Sequence, residues 1–452
     1  MIFIVLMNQN LFASSVVSYF ENKLQNIHTS SIIVDSHIDT LTKVIDEETW
    51  LPTTDIGLET NFESDIPKLK AGGINVPFLA AYTPGYYENT ARSLSHTLAM
   101  INALYWIEKN NVNDLKITSA TNEIIEALVE EKIAAIPTIE GAYSFDESNA
   151  IELLRQYHDL EVMTIGFTWN YSNALGEGAH QVYGDQKKTP SSGGLTELGK
   201  QIALEMNRLG MMIDVSHMAE STFWDVLEVS KAPVIATHSG IDTLHNHVRN
   251  LTDEQLLALA EKGGVVAIVF YPSFLTKTGN ATISDVVDHI DYAVDLIGVD
   301  HVAIGSDFDG ATLPSDLQDA SDMGKLIDEL ISRGYSTIEI KKILGLNTLR
   351  LMHEVQQIRE YEASDKDVKI IPTYRMGEGI SERTPLLSAQ LEGKVTKGTD
   401  LHVVLDGIVY PASFDKEKST MFFQVRDELK EKFHVVTFVA NSERETRIFY
   451  VK

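Results

Sequence analysis

Eight short apolar, β-branched runs, each followed by a stretch of helical pattern, constrain this chain more than any other feature. They fall at 31–38 (SIIVDSHI), 74–82 (INVPFLAAY), 133–139 (IAAIPTI), 161–168 (EVMTIGFT), 211–216 (MMIDVS), 233–237 (PVIAT), 264–270 (GVVAIVF) and 301–306 (HVAIGS). Apolar runs of this length suit strands buried on both faces of a parallel sheet. Between them, residues 93–109 align Leu94, Leu98, Ile101, Leu104 and Tyr105 on one face, and 195–209 align Leu198, Ile202 and Leu209. Thr252 with Gln255 has capping-box spacing and opens a helix through 261, and 285–297 is again amphipathic. Strand and helix alternating eight times predicts a (β/α)8 TIM barrel, an α/β fold. An open doubly wound sheet is the other arrangement this periodicity allows.

The pattern fades after a helix at about 347–361, and Glu362 to Asp367 is a polar linker. The tail changes character. Runs at 368–373, 401–405, 420–425, 434–440 and 446–451 read as strands, with Asn441 to Glu445 as a hairpin loop between the last two. The expected organisation is therefore an N-terminal lead (1–29), a barrel (30–362) and a small all-β, sandwich-like module (368–452). That module could bind a surface, cap the barrel or assist a homodimer, and the sequence leaves the choice open.

Composition removes several function classes. The formal net charge of −28 repels nucleic acid and anionic membrane, so neither is an expected partner. The absence of cysteine excludes disulfides and thiolate ligands, so any metal must be held by His, Asp and Glu. It suits the cytoplasm and the cell envelope equally. Residues 2–6 (IFIVL) and 11–15 (LFASS) resemble parts of a signal peptide, but no basic residue precedes Lys23 and Asn8-Gln9-Asn10 breaks the apolar run. The segment reads either as a degenerate signal or as an amphipathic lead-in. No run approaches the roughly 20 apolar residues of a membrane span.

The polar residues cluster at the carboxyl ends of the strands, where barrel enzymes assemble their sites. The first run ends in Asp35-Ser36-His37-Ile38-Asp39. In an extended strand, residues two apart share a face, so His37 and Asp39 should both reach the barrel mouth. The third run ends in Glu140, a carboxylate whose burial is costly without a partner and whose two oxygens can bridge two cations. The fifth and sixth lead into His217 and His238, and the eighth into Asp307. Any one of these alone is commonplace: H-x-D recurs by chance, and a solitary His in such a place is usually a hydrogen-bonded core residue. Three His and three acids at five strand ends point instead to a metal site. Their nitrogen and oxygen donors suit Zn(2+), with Mn(II), Co(II) or Fe(II) also compatible.

The segments VDSHIDT, IPTIEGAY, IDVSHMA, APVIATHSG, HVRN and GSDFDG resemble, in order and over roughly residues 30–360, the motifs of the renal (membrane) dipeptidases, peptidase family M19. The resemblance implies a barrel with two Zn(2+): His37 and Asp39 on one, His217 and His238 on the other, Glu140 bridging. It implies Asp307 as the acid/base beside a bridging hydroxide, Arg249 of His247-Val248-Arg249-Asn250 as the anchor of the dipeptide carboxylate, and Tyr271 in the substrate pocket. One position departs. Some relatives carry a substrate-contacting His after the fourth strand, where this chain has Trp169; this resembles a bacterial branch of the family. His180, in the following loop, reads either as a substitute or as a solvated loop residue. The implied activity is zinc-dependent hydrolysis of dipeptides. Two other readings keep the same residues: an amidohydrolase acting on N-acyl amino acids, lactams, lactones or phosphoesters, and a non-catalytic, metal-stabilised envelope or binding protein.

Overall fold

The computed structural model describes residues 27–87, 90–179, 193–359, 368–393, 395–396 and 398–452. The N-terminal segment through residue 26, His180 and the linker at 362–367 lie outside these. Eight parallel strands form the barrel: β1 (Ile33–Ile38), β2 (Ile74–Tyr82), β3 (Ile133–Glu140), β4 (Thr164–Gly166), β5 (Met212–Asp214), β6 (Ile235–Ser239), β7 (Val265–Ile268) and β8 (Val302–Ile304). They follow one another around the sheet in sequence order. The ring closes past the end of β8, where Asp39 N donates to Phe308 O (2.9 Å) and Asp307 N to His37 O (3.0 Å). The open sheet is thereby ruled out.

The ladders are shorter than the apolar runs that announced them. β5 stops at Asp214 rather than 216, because the Asp214 side chain takes the Ser216 N–H (2.9 Å) that would have continued pairing. His217 therefore lies beyond the strand, in the left-handed region at φ 63°. A short strand, Leu115–Ile117, pairs with β3 outside the ring and has no counterpart in the sequence reading. The Thr252–Gln255 capping box forms as expected and opens the helix Asp253–Glu261.

The tail folds into two sheets. One joins β9 (Val368–Pro372), β11 (Leu386–Gly393), β15 (Thr420–Gln424) and β14 (Ser413–Asp415). The other joins β10 (Glu378–Ile380), β17 (Glu443–Val451), β16 (Phe433–Ala440), β12 (Leu401–Leu405) and β13 (Ile408–Pro411). Both contribute to one apolar core that includes Ile370, Leu387, Met421, Val403, Phe438 and Phe449. The last hairpin is tighter than expected: Glu443 to Glu445 belong to β17, and only Asn441 (φ 56°) and Ser442 make the turn.

The module packs on the barrel's helical shell. Phe433, Val435 and Ile448 join the barrel's own hydrophobic core, and Phe433 N donates to Ser95 Oγ (2.8 Å) on the helix Thr90–Asn110. That helix is consequently buried on more than its barrel face. Gln156, on the helix Ala150–Asp159, donates to Val404 O (3.1 Å) and Thr437 Oγ1 (3.0 Å) and accepts from Gly407 N (2.8 Å). Among the described residues, no module residue lines the cavity at the barrel mouth.

Candidate metal centre

The register of the barrel aligns Tyr82, Glu140, Gly166 and Asp214 across β2 to β5, so Glu140 projects where the strands converge. All six predicted strand-end residues meet there. His37 Nε2 lies 3.5 Å from Asp39 Oδ2 and 3.5 Å from Glu140 Oε2. The other oxygen, Glu140 Oε1, lies 2.9 Å from His217 Nε2 and 3.6 Å from His238 Nε2, and these two nitrogens are 2.8 Å apart. Among the described residues, two groups have donor atoms close enough together to hold a cation: His37 with Glu140 and His238, and His37 with Asp39 and Asp307.

The surrounding hydrogen bonds assign the His tautomers. His217 Nδ1 faces Asn170 Oδ1 at 2.8 Å, an acceptor, so Nδ1 carries the proton. His238 Nδ1 lies 2.9 Å from Thr237 Oγ1, whose own proton goes to Asp214 Oδ2 (2.6 Å). Both Nε2 atoms therefore present lone pairs, to each other and to a carboxylate oxygen. Burial, with the Arg249 charge, holds the pKa of His217 down at about 3, and burial, with the His37 charge, holds that of His238 well below its ordinary value. In addition, His37 Nε2 and Asp39 Oδ1 are buried without a hydrogen-bond partner. The Nε2 lone pairs of His217 and His238, buried and turned toward one another without a donor between them, are unfavourable. A cation among them removes the conflict, and neutral imidazoles with the far nitrogen held by an oxygen are the usual state of metal-bound His. The donor set fits a divalent metal.

The backbone is shaped for this approach. Asp307 (φ 66°), like His217, takes a left-handed conformation that places its side chain at the mouth. Gly310 fits because a Cβ there would come within 2.1 Å of Asp39 Oδ2 and 2.6 Å of Asp307 Oδ1. Burial and the adjacent Asp39 charge raise the pKa of Asp307 well above the carboxylate range. Burial also opposes charge on His37, but the carboxylates of Glu140 and Asp39 outweigh it and raise that pKa.

Asp39, Glu140, His217 and Asp307 form the floor of a cavity of about 1320 Å³, and His37 and His238 are not among its lining residues. Trp169 and Tyr271 line it. The Trp169 ring stands edge-on to Tyr82 (5.2 Å) and 6.0 Å from the His217 ring, and Tyr271 meets Phe274 edge-on at 4.7 Å. Arg249 is not among the lining residues: it is 3% exposed, donates to His238 O (3.0 Å) and lies against the Phe274 ring (5.2 Å). Sequence reasoning missed Asn170, Asp214 and Thr237, which orient the two His. Their signal was available in Asp214 and Thr237, polar residues inside apolar runs, where burial demands a partner.

A (β/α)8 barrel with a buried His/carboxylate cluster at the carboxyl ends of its strands defines a metal-dependent hydrolase of the TIM-barrel type. The model of the membrane dipeptidases, peptidase family M19, matches residues 21–366, and the chain belongs to this family of metallo-dipeptidases. An uncharacterized dipeptidase of Schizosaccharomyces pombe is 34% identical over 354 residues, covering 75% of this chain and 84% of the relative. Among solved structures, a metallo peptidase of Rhodobacter sphaeroides liganded with a phosphinate mimic of the dipeptide L-Ala-D-Ala is 28% identical, with a TM-score of 0.63. It covers 72% of this chain and 99% of its own. The dipeptidase AC, of family M19, is 29% identical with a TM-score of 0.64 over the same shares.

Proposed function

We propose that this enzyme hydrolyses the peptide bond of free dipeptides at a centre of two divalent cations, with zinc the best match to its donors. The observation that carries this is the meeting of the lone pairs of His217 and His238 on one oxygen of Glu140, with His37 on the other. His37 and Asp39 would hold one ion and His217 and His238 the second, with Glu140 placed between the two pairs. When bound, such ions lower the pKa of a shared water and polarise the scissile carbonyl.

The remaining work belongs to the chain. Asp307 takes the proton of the attacking water and returns it to the leaving amine, as base and then acid. Positive charge bound beside it would favour the carboxylate form that accepts this proton. Arg249 draws the substrate's terminal carboxylate toward the β6 and β7 side of the mouth, and Tyr271 and Trp169 wall the site. The anchor's closeness to the ligands limits the substrate to short peptides. The Rhodobacter sphaeroides relative, with its L-Ala-D-Ala mimic, supports including L-D dipeptides among the candidates.

The test is metal analysis of the purified protein together with L-L and L-D dipeptides, N-acyl amino acids, lactams, lactones and phosphoesters, each with and without chelator. Chelator-sensitive, metal-restorable hydrolysis of dipeptides above the other classes is expected. Turnover of N-acyl amino acids with dipeptides untouched would overturn the substrate assignment, and metal content with no turnover on any compound would favour a binding protein.

A further inference from the structure

The loop that follows β4 bonds to His217 at three points. Thr168 Oγ1 donates to His217 O (3.1 Å), Ala179 N donates to the same oxygen (2.8 Å), and Asn170 Oδ1 accepts from His217 Nδ1 (2.8 Å). The first and third of these bonds come from residues 167–172, which form neither helix nor strand. Asn170 is buried among them. Buried main-chain groups outside helices and ladders must find their hydrogen bonds elsewhere.

A side chain from another strand end supplies them. Tyr143 lies three residues after Glu140 and is buried. Its hydroxyl donates to Tyr171 O (2.6 Å) and accepts from Trp169 N (3.2 Å) and Tyr171 N (3.2 Å). One oxygen thus brackets Asn170 through the backbone of the residue before it and the residue after it. A single bond is enough to satisfy a buried phenol. Three contacts, all to residues 169 and 171, fix the loop as well as the ring. The ring itself is seated against Gly85, where a Cβ would come within 2.7 Å of Tyr143 Cζ and 2.8 Å of its hydroxyl.

We propose that Tyr143 is a positioning residue for the metal centre. Its hydroxyl holds the 169–171 backbone so that the Asn170 amide oxygen stays on His217 Nδ1. The His217 proton is thereby kept on Nδ1, and the Nε2 lone pair stays turned to Glu140 Oε1, 2.9 Å away. This rests on the reading above of His217 as a metal ligand.

The experiment removes Zn(2+) from the purified holoenzyme with graded chelator. It compares the native protein, Y143F, N170A and the double variant, with a denaturant midpoint for each. Y143F keeps the ring and loses one oxygen, and it should hold zinc roughly 10- to 100-fold more weakly. Because Tyr143 acts through Asn170, adding Y143F to N170A should weaken binding little further. Native zinc affinity in a folded Y143F overturns the proposal. Losses that add in full in the double variant overturn it too, since a phenol that only packs the fold would behave that way. Should Y143F fail to fold, G85A decides: it keeps the hydroxyl but crowds it, so weaker zinc binding is expected and native affinity overturns the proposal. Native protein that holds no zinc would strike the metal reading first, and this proposal with it.

Discussion

At His217 the chain accepts a left-handed backbone in a non-glycine residue to bring one nitrogen to Glu140 and the other to Asn170. Conformations of this kind cost of order 1 kcal/mol or more and persist where surrounding bonds hold them. The Asn170 amide is therefore part of the centre, although it touches no metal-facing atom. In N170A the imidazole loses the partner that fixes its tautomer. Metal affinity should fall by about 10–100-fold, read as metal content after dialysis against a graded chelator. An unchanged affinity would mean that Asn170 does not orient the ring. Asp307 predicts a different signature. D307N should retain its metal and lose kcat by about 10²–10⁴-fold with little change in KM, whereas a parallel loss of metal would make Asp307 a ligand rather than the acid/base. R249Q should chiefly raise KM for dipeptides, and a pure kcat effect would contradict its anchoring role.

Among the elements, β12 and β16 carry a titratable contact of their own. His434 Nδ1 lies 2.6 Å from Asp406 Oδ2, in the turn after β12. Burial opposes the charged ring, but the Asp406 carboxylate outweighs it and raises the pKa of His434 above 6.5. A group whose pKa rises on folding stabilises the fold fully below its unfolded pKa, and that contribution is lost as pH climbs through the folded value. Stability should thus decline as pH rises from about 6.5, and H434Q should flatten this part of the profile in chemical denaturation at stepped pH. Equal slopes in both proteins would remove His434 from the account. The elements also show where patterning was legible. The eight barrel runs were readable because burial on both faces makes them continuously apolar. β10, β11, β13 and β14 went unread because they are short or half-exposed, and β11 alternates buried with exposed positions.

Over the whole molecule, barrel and module share a core. Gln156 is buried where the two meet and bonds to β12, β16 and the turn after β12. Arg444 of β17 pairs with Asp159 (2.9 Å), a carboxylate that Thr446 Oγ1 also reaches. Q156L would strand a backbone N–H and several acceptors, and should lower unfolding stability by about 2–4 kcal/mol, measured by denaturant midpoint. Truncation before residue 368 should expose the apolar surface under Phe433, Val435 and Ile448 and yield aggregated or destabilised protein. A truncated barrel with native stability and activity would show the module to be an independent appendage.

The sequence by itself determined the eight strands of the barrel and the six residues that meet at their carboxyl ends, while closure of the ring was decided by the backbone bonds of Asp39 and Asp307. The reason is that each strand-end ligand follows an apolar run whose burial fixes its address. Only the tertiary structure decided how those residues are oriented. The tautomers of His217 and His238 depend on Asn170, Thr237 and Asp214, two of which lie on other strands or loops, and Gly310 is required by carboxylates from distant segments. The seat of the β module was likewise decided in three dimensions. Its contacts join residues from 248 to 338 positions apart, and no periodicity along the chain records which helix a second sheet will cover.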